Sequence, residues 1–250
     1  MKNIISGMMV FVMAVMSASL HAAEPLINIK FGGGTYTGAA VAGTAGDTWN
    51  QFNDDLAVIN QPVLLSTGVS AGTAQFSYTG GALVTGLAAN CSFGVTDKNL
   101  MRSYIYTSGS TGTMNFTGLQ ANKSYDLYVY TQSENTSGNN YGDGQILNLT
   151  VNGSALHQTT PSDGGASTFL AGQNYLHGTF TADNSGNLNI SYLSPVGGSD
   201  VTNRAVINGL QLKGSSPTPE PASLVLFGIG GLFAARKLKK KAAETSITTP

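Results

Sequence analysis

Residues 124–132 read SYDLYVYTQ, and the fold turns on how that stretch is read. Tyr125, Leu127 and Val129 fall on one side of an extended chain, with Asp126, Tyr128 and Tyr130 on the other. A period of two is the signature of a β-strand, because successive side chains in a strand point to opposite faces. A helix would scatter the same apolar residues around its circumference. The stretch therefore predicts a strand with one apolar face and one wetter face.

The same alternation recurs on both sides of it. QILNLTVNG (145–153) sets Leu147, Leu149 and Val151 against Ile146, Asn148 and Thr150, and NLNISYL (187–193) places Leu188, Ile190 and Tyr192 together. LINIKF (26–31), LAVINQPVLL (56–65), LMRSYIYTS (100–108) and RAVINGLQL (204–212) follow suit. SGNNYGDG, PSDGG and ADNSGN lie between such runs, and their Asn, Asp and Gly supply positive φ and side-chain turn bonds. Gly, Ser, Thr and Asn are plentiful while Glu, Lys and Arg are scarce, which removes the usual material of exposed helices. Nine or so short strands joined by polar loops predict an all-β protein, an antiparallel sandwich of jelly-roll type spanning residues 24–213.

Both ends of the 250-residue chain differ from this body. Lys2, an uncharged apolar stretch from Ile4 to Met16, and Ala22 and Ala23 have the order of a secretory signal peptide over residues 1–23. At the other end, KGSSPTPEP reads as a linker, assigned to 214–221. Fourteen uncharged, mainly apolar residues follow, Ala222 to Ala235. As a helix they rise about 21 Å against a hydrocarbon core of about 30 Å, so they barely span a bilayer. Arg236, Lys237, Lys239, Lys240 and Lys241 come next, cations whose stems snorkel to headgroups and fix the basic side on the cytoplasmic face. Residues 222–241 thus predict a short transmembrane helix with a basic cluster, ahead of a polar tail over 242–250.

Pro219, Glu220 and Pro221, an apolar helix and a basic cluster together resemble the PEP-CTERM sorting signal of exported bacterial proteins. That resemblance implies recognition of the tripeptide by an exosortase, transient residence in the inner membrane, and transfer of the body to the cell surface or an exopolysaccharide matrix. Here nine residues trail the last lysine, where members of the family stop sooner. The opening strand into FGGGTYTGAA, the central YDLYVY and the closing AVINGLQL resemble galactose-binding-like or malectin-like jelly rolls. What that implies is a glycan-associated sandwich, in some members with a structural calcium.

Charge narrows the partners. Residues 24–215 carry eleven acidic and six basic side chains, a balance that disfavours nucleic acid. Cys91 has no cysteine partner in the chain, so no internal disulfide forms, and a small buried hydrophobe is its simplest role.

A sugar site needs an exposed aromatic plane beside amides and carboxylates. Two clusters offer one: Trp49 with Asp47, Asn50 and Asp54, and Tyr141 with Asp143. Against the first stands the frequency with which a lone tryptophan sits in a β core. NNYGDG and ADNSGN have the alternating oxygens that calcium prefers, but neither completes a calcium loop, and turn chemistry accounts for both. His157 and His177 show neither metal-ligand spacing nor a nucleophile motif. The expectation is a non-enzymatic exported sandwich that binds polysaccharide. A purely structural matrix protein and a glycan-active enzyme are the competing classes.

Overall fold

The computed structural model describes residues 25–54, 57–85, 92–133, 145–163, 165–194 and 204–214. The chain divides into two units, Met1–Ser215 and Ser216–Pro250, and every described residue lies in the first. The expected signal segment 1–23, Cys91, residues 215–221 of the expected linker and the apolar and basic tail fall outside the described residues, whereas Gly214, assigned to the linker from sequence, ends the last strand.

Fourteen strands and one helix are described, more strands than the sequence pattern suggests. They are β1 (Leu26–Phe31), β2 (Asn50–Phe52), β3 (Ala57–Leu64), β4 (Ser70–Thr79) and β5 (Ala82–Val84), then helix α1 (Val95–Met101). β6 (Tyr104–Ser108), β7 (Gly112–Thr117), β8 (Ser124–Tyr130), β9 (Asn148–Val151) and β10 (Ser154–His157) follow. β11 (Tyr175–Thr181), β12 (Leu188–Leu193), β13 (Arg204–Ile207) and β14 (Gly209–Gly214) close the body. A five-stranded sheet runs β11-β8-β14-β1-β2 and a six-stranded sheet runs β10-β9-β12-β7-β4-β3, with a small third sheet β13-β6-β5. Pairing is antiparallel except between β1 and β2, which run parallel. The protein is an all-β sandwich.

Period two explains the packing. Tyr125, Leu127 and Val129 of β8 point inward, as do Leu149 and Val151 of β9 and Leu188, Ile190 and Tyr192 of β12, all in one core with Ile29, Phe31, Phe76 and Phe116. Each such side chain contributes about 1.5–3 kcal/mol by leaving water. Close approach dictates glycine at Gly112, where a Cβ would stand 2.2 Å from the Tyr192 ring.

Three elements depart from the sequence pattern. LMRSYIYTS splits, with Leu100 and Met101 ending α1 and the strand starting at Tyr104. RAVINGLQL also splits at Asn208, so that β13 and β14 serve different sheets. In LINIKF the alternation is lost, because all six residues are buried. The cause is residues 35–49, which fold over the outer face of β1, β14 and β8 and enclose a second core of Tyr36, Trp49, Phe93, Leu100, Met101 and Tyr130.

Candidate functional site

Trp49 belongs to that second core. It is 9% exposed, meets Tyr36 edge-on at 4.8 Å between ring centroids, and donates its indole N–H to the Gly38 carbonyl at 3.0 Å. The free aromatic plane that stacking requires is therefore not what Trp49 offers. Its neighbours hold the loop and the strands. Asp47 accepts from the Thr44 amide at 3.0 Å and the Thr44 hydroxyl at 2.8 Å, closing a turn. Asn50 takes the Leu64 amide at 2.7 Å and gives its own N–H groups to Asn28 and Leu64 carbonyls at 2.9 and 2.8 Å. It thereby ties β1 to β3 across the sheets. Asp54 is exposed, and its backbone carbonyl accepts the Tyr78 hydroxyl. Tyr141 and Asp143 lie outside the described residues, as do Pro219, Glu220, Pro221, Arg236, Lys237, Lys239, Lys240 and Lys241.

A partly exposed aromatic pair occurs instead on the outer face of β8 and its edge partner β11, where His177 is exposed and Tyr128 is half-buried against the second core. Register places His177 opposite Tyr128, Thr179 opposite Asp126 and Tyr175 opposite Tyr130. Cross-strand neighbours at this spacing interact directly. Tyr128 and His177 stack with centroids 4.3 Å apart and planes 17° from parallel. Thr179 donates its hydroxyl to Asp126 Oδ1 at 2.6 Å, and His177 Nε2 stands 3.6 Å from the same oxygen. His177 is 43% exposed at its side chain. Burial, then the charge of Asp126, then Tyr175, raises the Tyr128 phenol above its ordinary pKa, so it stays a neutral donor at physiological pH.

Tyr128, His177 and Asp126 form a ledge that neighbours on the same face support. Tyr175 and Phe169 pack on Tyr130, with centroids at 6.4 and 5.2 Å. The Tyr130 hydroxyl donates to Gln211 Oε1 and accepts the Val41 amide at 3.0 Å, while Gln211 reaches Asn28 at 2.9 Å. Val41 and Leu170, both exposed apolar side chains, adjoin this support: the Val41 amide is bonded to Tyr130, and the Leu170 carbonyl accepts the Tyr175 amide. An aromatic stack with a carboxylate, a hydroxyl and apolar flanks can take the C–H face of a pyranose and hydrogen-bond its hydroxyls. Sequence reasoning marked Tyr128 and Asp126 as the wetter face of a strand and did not connect them to His177. The available signal was two tyrosines on a polar face.

Two further concavities accompany it. A groove of about 440 Å³ crosses the outer face of the six-stranded sheet between Ser77, Thr113, Asn115, Thr150, Asn152 and Asn189, with no charged side chain in its lining. A smaller hollow of about 300 Å³ lies between residues 35–46 and α1, beside the Tyr36 hydroxyl, which donates to Asp97 at 2.6 Å.

Metal ligation has little to work with. Among the described residues no three His, Cys, Asp or Glu side chains gather to hold an ion. In ADNSGN, Asp183 accepts the Ser185 and Asn187 amides, each at 2.8 Å, and these bonds, the Asn187 amide above all, hold its carboxyl below the ordinary pKa. Its oxygens are occupied by the turn.

The tail matches a family model over residues 217–240. It is a PEP-CTERM protein-sorting motif. The match contains Pro219, Glu220 and Pro221 and the basic residues Arg236, Lys237, Lys239 and Lys240, with Lys241 just beyond. A PEP-CTERM motif is a signal that exosortase processes, and it implies export and sorting. Among the described residues no helix is long and apolar enough to cross a membrane. No curated protein matches the chain. Solved structures similar to it include the ANX2 ectodomain from Arabidopsis thaliana, at 15% identity, 79% of this chain, 53% of that one and a TM-score of 0.46. The ANX1 ectodomain from Arabidopsis thaliana shares 16% identity over 79% of this chain and 52% of that one, at a TM-score of 0.44. The plant receptor-like kinase FER shares 13% identity over 78% and 43%, at 0.42. The chain spans about half the length of these structures, 43% to 53%.

Proposed function

We propose that the sandwich is a non-enzymatic polysaccharide-binding module that its PEP-CTERM motif delivers to the cell surface or extracellular matrix. The carrying observation is the Tyr128–His177 stack beside Asp126, a partly exposed aromatic pair whose solvent side is the imidazole of His177, held on two paired strands. Sites built on strands keep their geometry better than sites on loops, which lowers the ordering cost of binding. The signal segment and the apolar tail act in transit: the first takes the chain across the inner membrane, and the second holds it there until exosortase acts at Pro219–Pro221. Exopolysaccharide is then the partner the body meets.

The test is a pull-down and a calorimetric titration of the exported protein against exopolysaccharide. Tyr128→Ala and His177→Ala are each expected to weaken binding about tenfold, the scale of one stacking contact. Thr113→Ala, on the outer face of the other sheet, serves as the comparison. Secretion without binding to any polysaccharide would favour a structural matrix protein. Release of shortened sugars that ceases with loss of one acidic residue would make it an enzyme.

A further inference from the structure

Two cations meet at one glycine turn without a carboxylate. Lys30 is 1% exposed, and its ammonium donates to the carbonyls of Phe31, Gly32 and Gly33 at 3.2, 2.8 and 2.9 Å. Those three bonds use all of its donors while leaving its charge uncompensated. Arg102, at the end of α1, reaches the same turn: a Cβ on Gly34 would fall 2.2 Å from its Nη2. The Arg102 Nε is buried and has no hydrogen-bond partner among the described residues. Neither cation has an ion-pair partner among them.

The turn itself is shaped for close approach. Gly32 and Gly34 have φ of +76° and +84°, the left-handed region, and a Cβ on Gly32 would stand 2.4 Å from that of Ser103. Gly33 faces open space. Its rim is amide and hydroxyl: Gln51 Nε2 donates to the Gly32 carbonyl at 2.8 Å and to Asn53 at 3.3 Å, and Thr35 is exposed alongside. The body has only six basic residues against eleven acidic ones, so two of the six converging on one turn is an expensive arrangement for packing alone.

We propose that the Gly32–Gly34 turn and Arg102 bind the carboxylate of a uronic acid residue in an acidic polysaccharide. A guanidinium offers a carboxylate planar, charge-assisted N–H donors, and Arg102 is only partly buried beside the exposed Gly34. Lys30 supplies a nearby positive charge rather than a hydrogen bond. Gln51, Asn53 and Thr35 are placed to take the ring hydroxyls. This inference rests on the reading of the body as polysaccharide-binding but uses a site of its own, apart from the Tyr128 ledge.

Methyl glucuronide, its methyl ester and sodium sulfate are titrated into the exported protein by calorimetry. The free acid is expected to bind at one site, with affinity falling at least about tenfold in Arg102→Gln and unchanged in Arg204→Gln, which removes the same charge elsewhere. In the unsubstituted protein, saturation should raise the Lys30 pKa, followed by NMR of its side-chain nitrogen, by about one unit. That measurement stands even where Arg102→Gln fails to fold. Equal binding of acid and ester, sulfate as tight as the acid, or a Lys30 titration that ignores the sugar overturns the proposal. Neutral polysaccharide binding with no response to glucuronide overturns it while leaving the ledge intact.

Discussion

Lys30 makes stability depend on pH in a direction opposite to most buried groups. Burial first, and the Arg102 charge second, lower its pKa from 10.5 to about 8. Between about 8 and 10.5 the unfolded chain holds this proton more tightly than the folded one, so stability rises with pH across that window. Tyrosines act the other way. Burial raises Tyr36, Tyr130 and Tyr192 above their ordinary value, so above about pH 10 the unfolded chain ionises first and stability falls. The urea midpoint is expected to climb from about pH 7.5 to about 9.5 and drop beyond about 10. Lys30→Met should abolish the climb and keep the drop. A climb that survives in Lys30→Met would assign it to another group. None of this is visible in LINIKF, where alternation sends Lys30 to solvent; its ammonium is instead taken up by the carbonyls of the 31–33 turn, beside Arg102.

At the scale of elements, Asn208 is the junction where β13 passes into β14. Its Oδ1 accepts the Gln132 amide at 2.7 Å, and its Nδ2 donates to Met101 and Ser103 carbonyls at 2.9 and 3.1 Å. Its backbone bonds Tyr130 at 2.8 Å and Phe31 at 3.1 Å. One residue thus joins β8, α1, β1 and the start of β6. Asn208→Ala leaves buried groups unpaired and should cost about 2–4 kcal/mol in chemical denaturation. Asn208→Asp should be no milder, since a carboxylate would face two carbonyls; a variant as stable as the parent would show that water or a shifted strand replaces these bonds. Strands with one buried face were legible in the sequence, because Tyr125, Leu127 and Val129 need only the period of two. The break at Asn208 was not, because AVINGLQL keeps an apolar run through it and only the three partners reveal a bend. The ledge was half legible: Tyr128 showed on a polar face, but its stacking partner His177 is set by the register of β8 with β11. Trp49 is a candidate platform by its polar neighbours and a core residue by its solitude in a β body; the polar neighbours close the turn and the sheet edge around it, and its ring is buried.

For the whole molecule, the sorting motif and the proposed sugar sites lie in different parts of the chain and should separate experimentally. The body holds the strands and both proposed sugar sites, while the PEP-CTERM motif at 217–240 carries the sorting information. Replacing Pro219, Glu220 and Pro221 by alanine removes the tripeptide without touching the apolar run or the basic residues. Export through the signal segment should continue, so the variant is expected to accumulate uncut in the membrane fraction, with an intact mass that includes the tail. Its polysaccharide affinity after detergent extraction should equal that of the released form, since no sandwich residue has changed. Deleting residues 222–241 instead should, on the proposed reading that the fourteen apolar residues hold the chain in the bilayer, free the body outside the cell at once. Release of the alanine variant at the parental rate, cut at the same position, would show that exosortase does not read the tripeptide here, and the sorting account would have to rest on the apolar and basic segments alone.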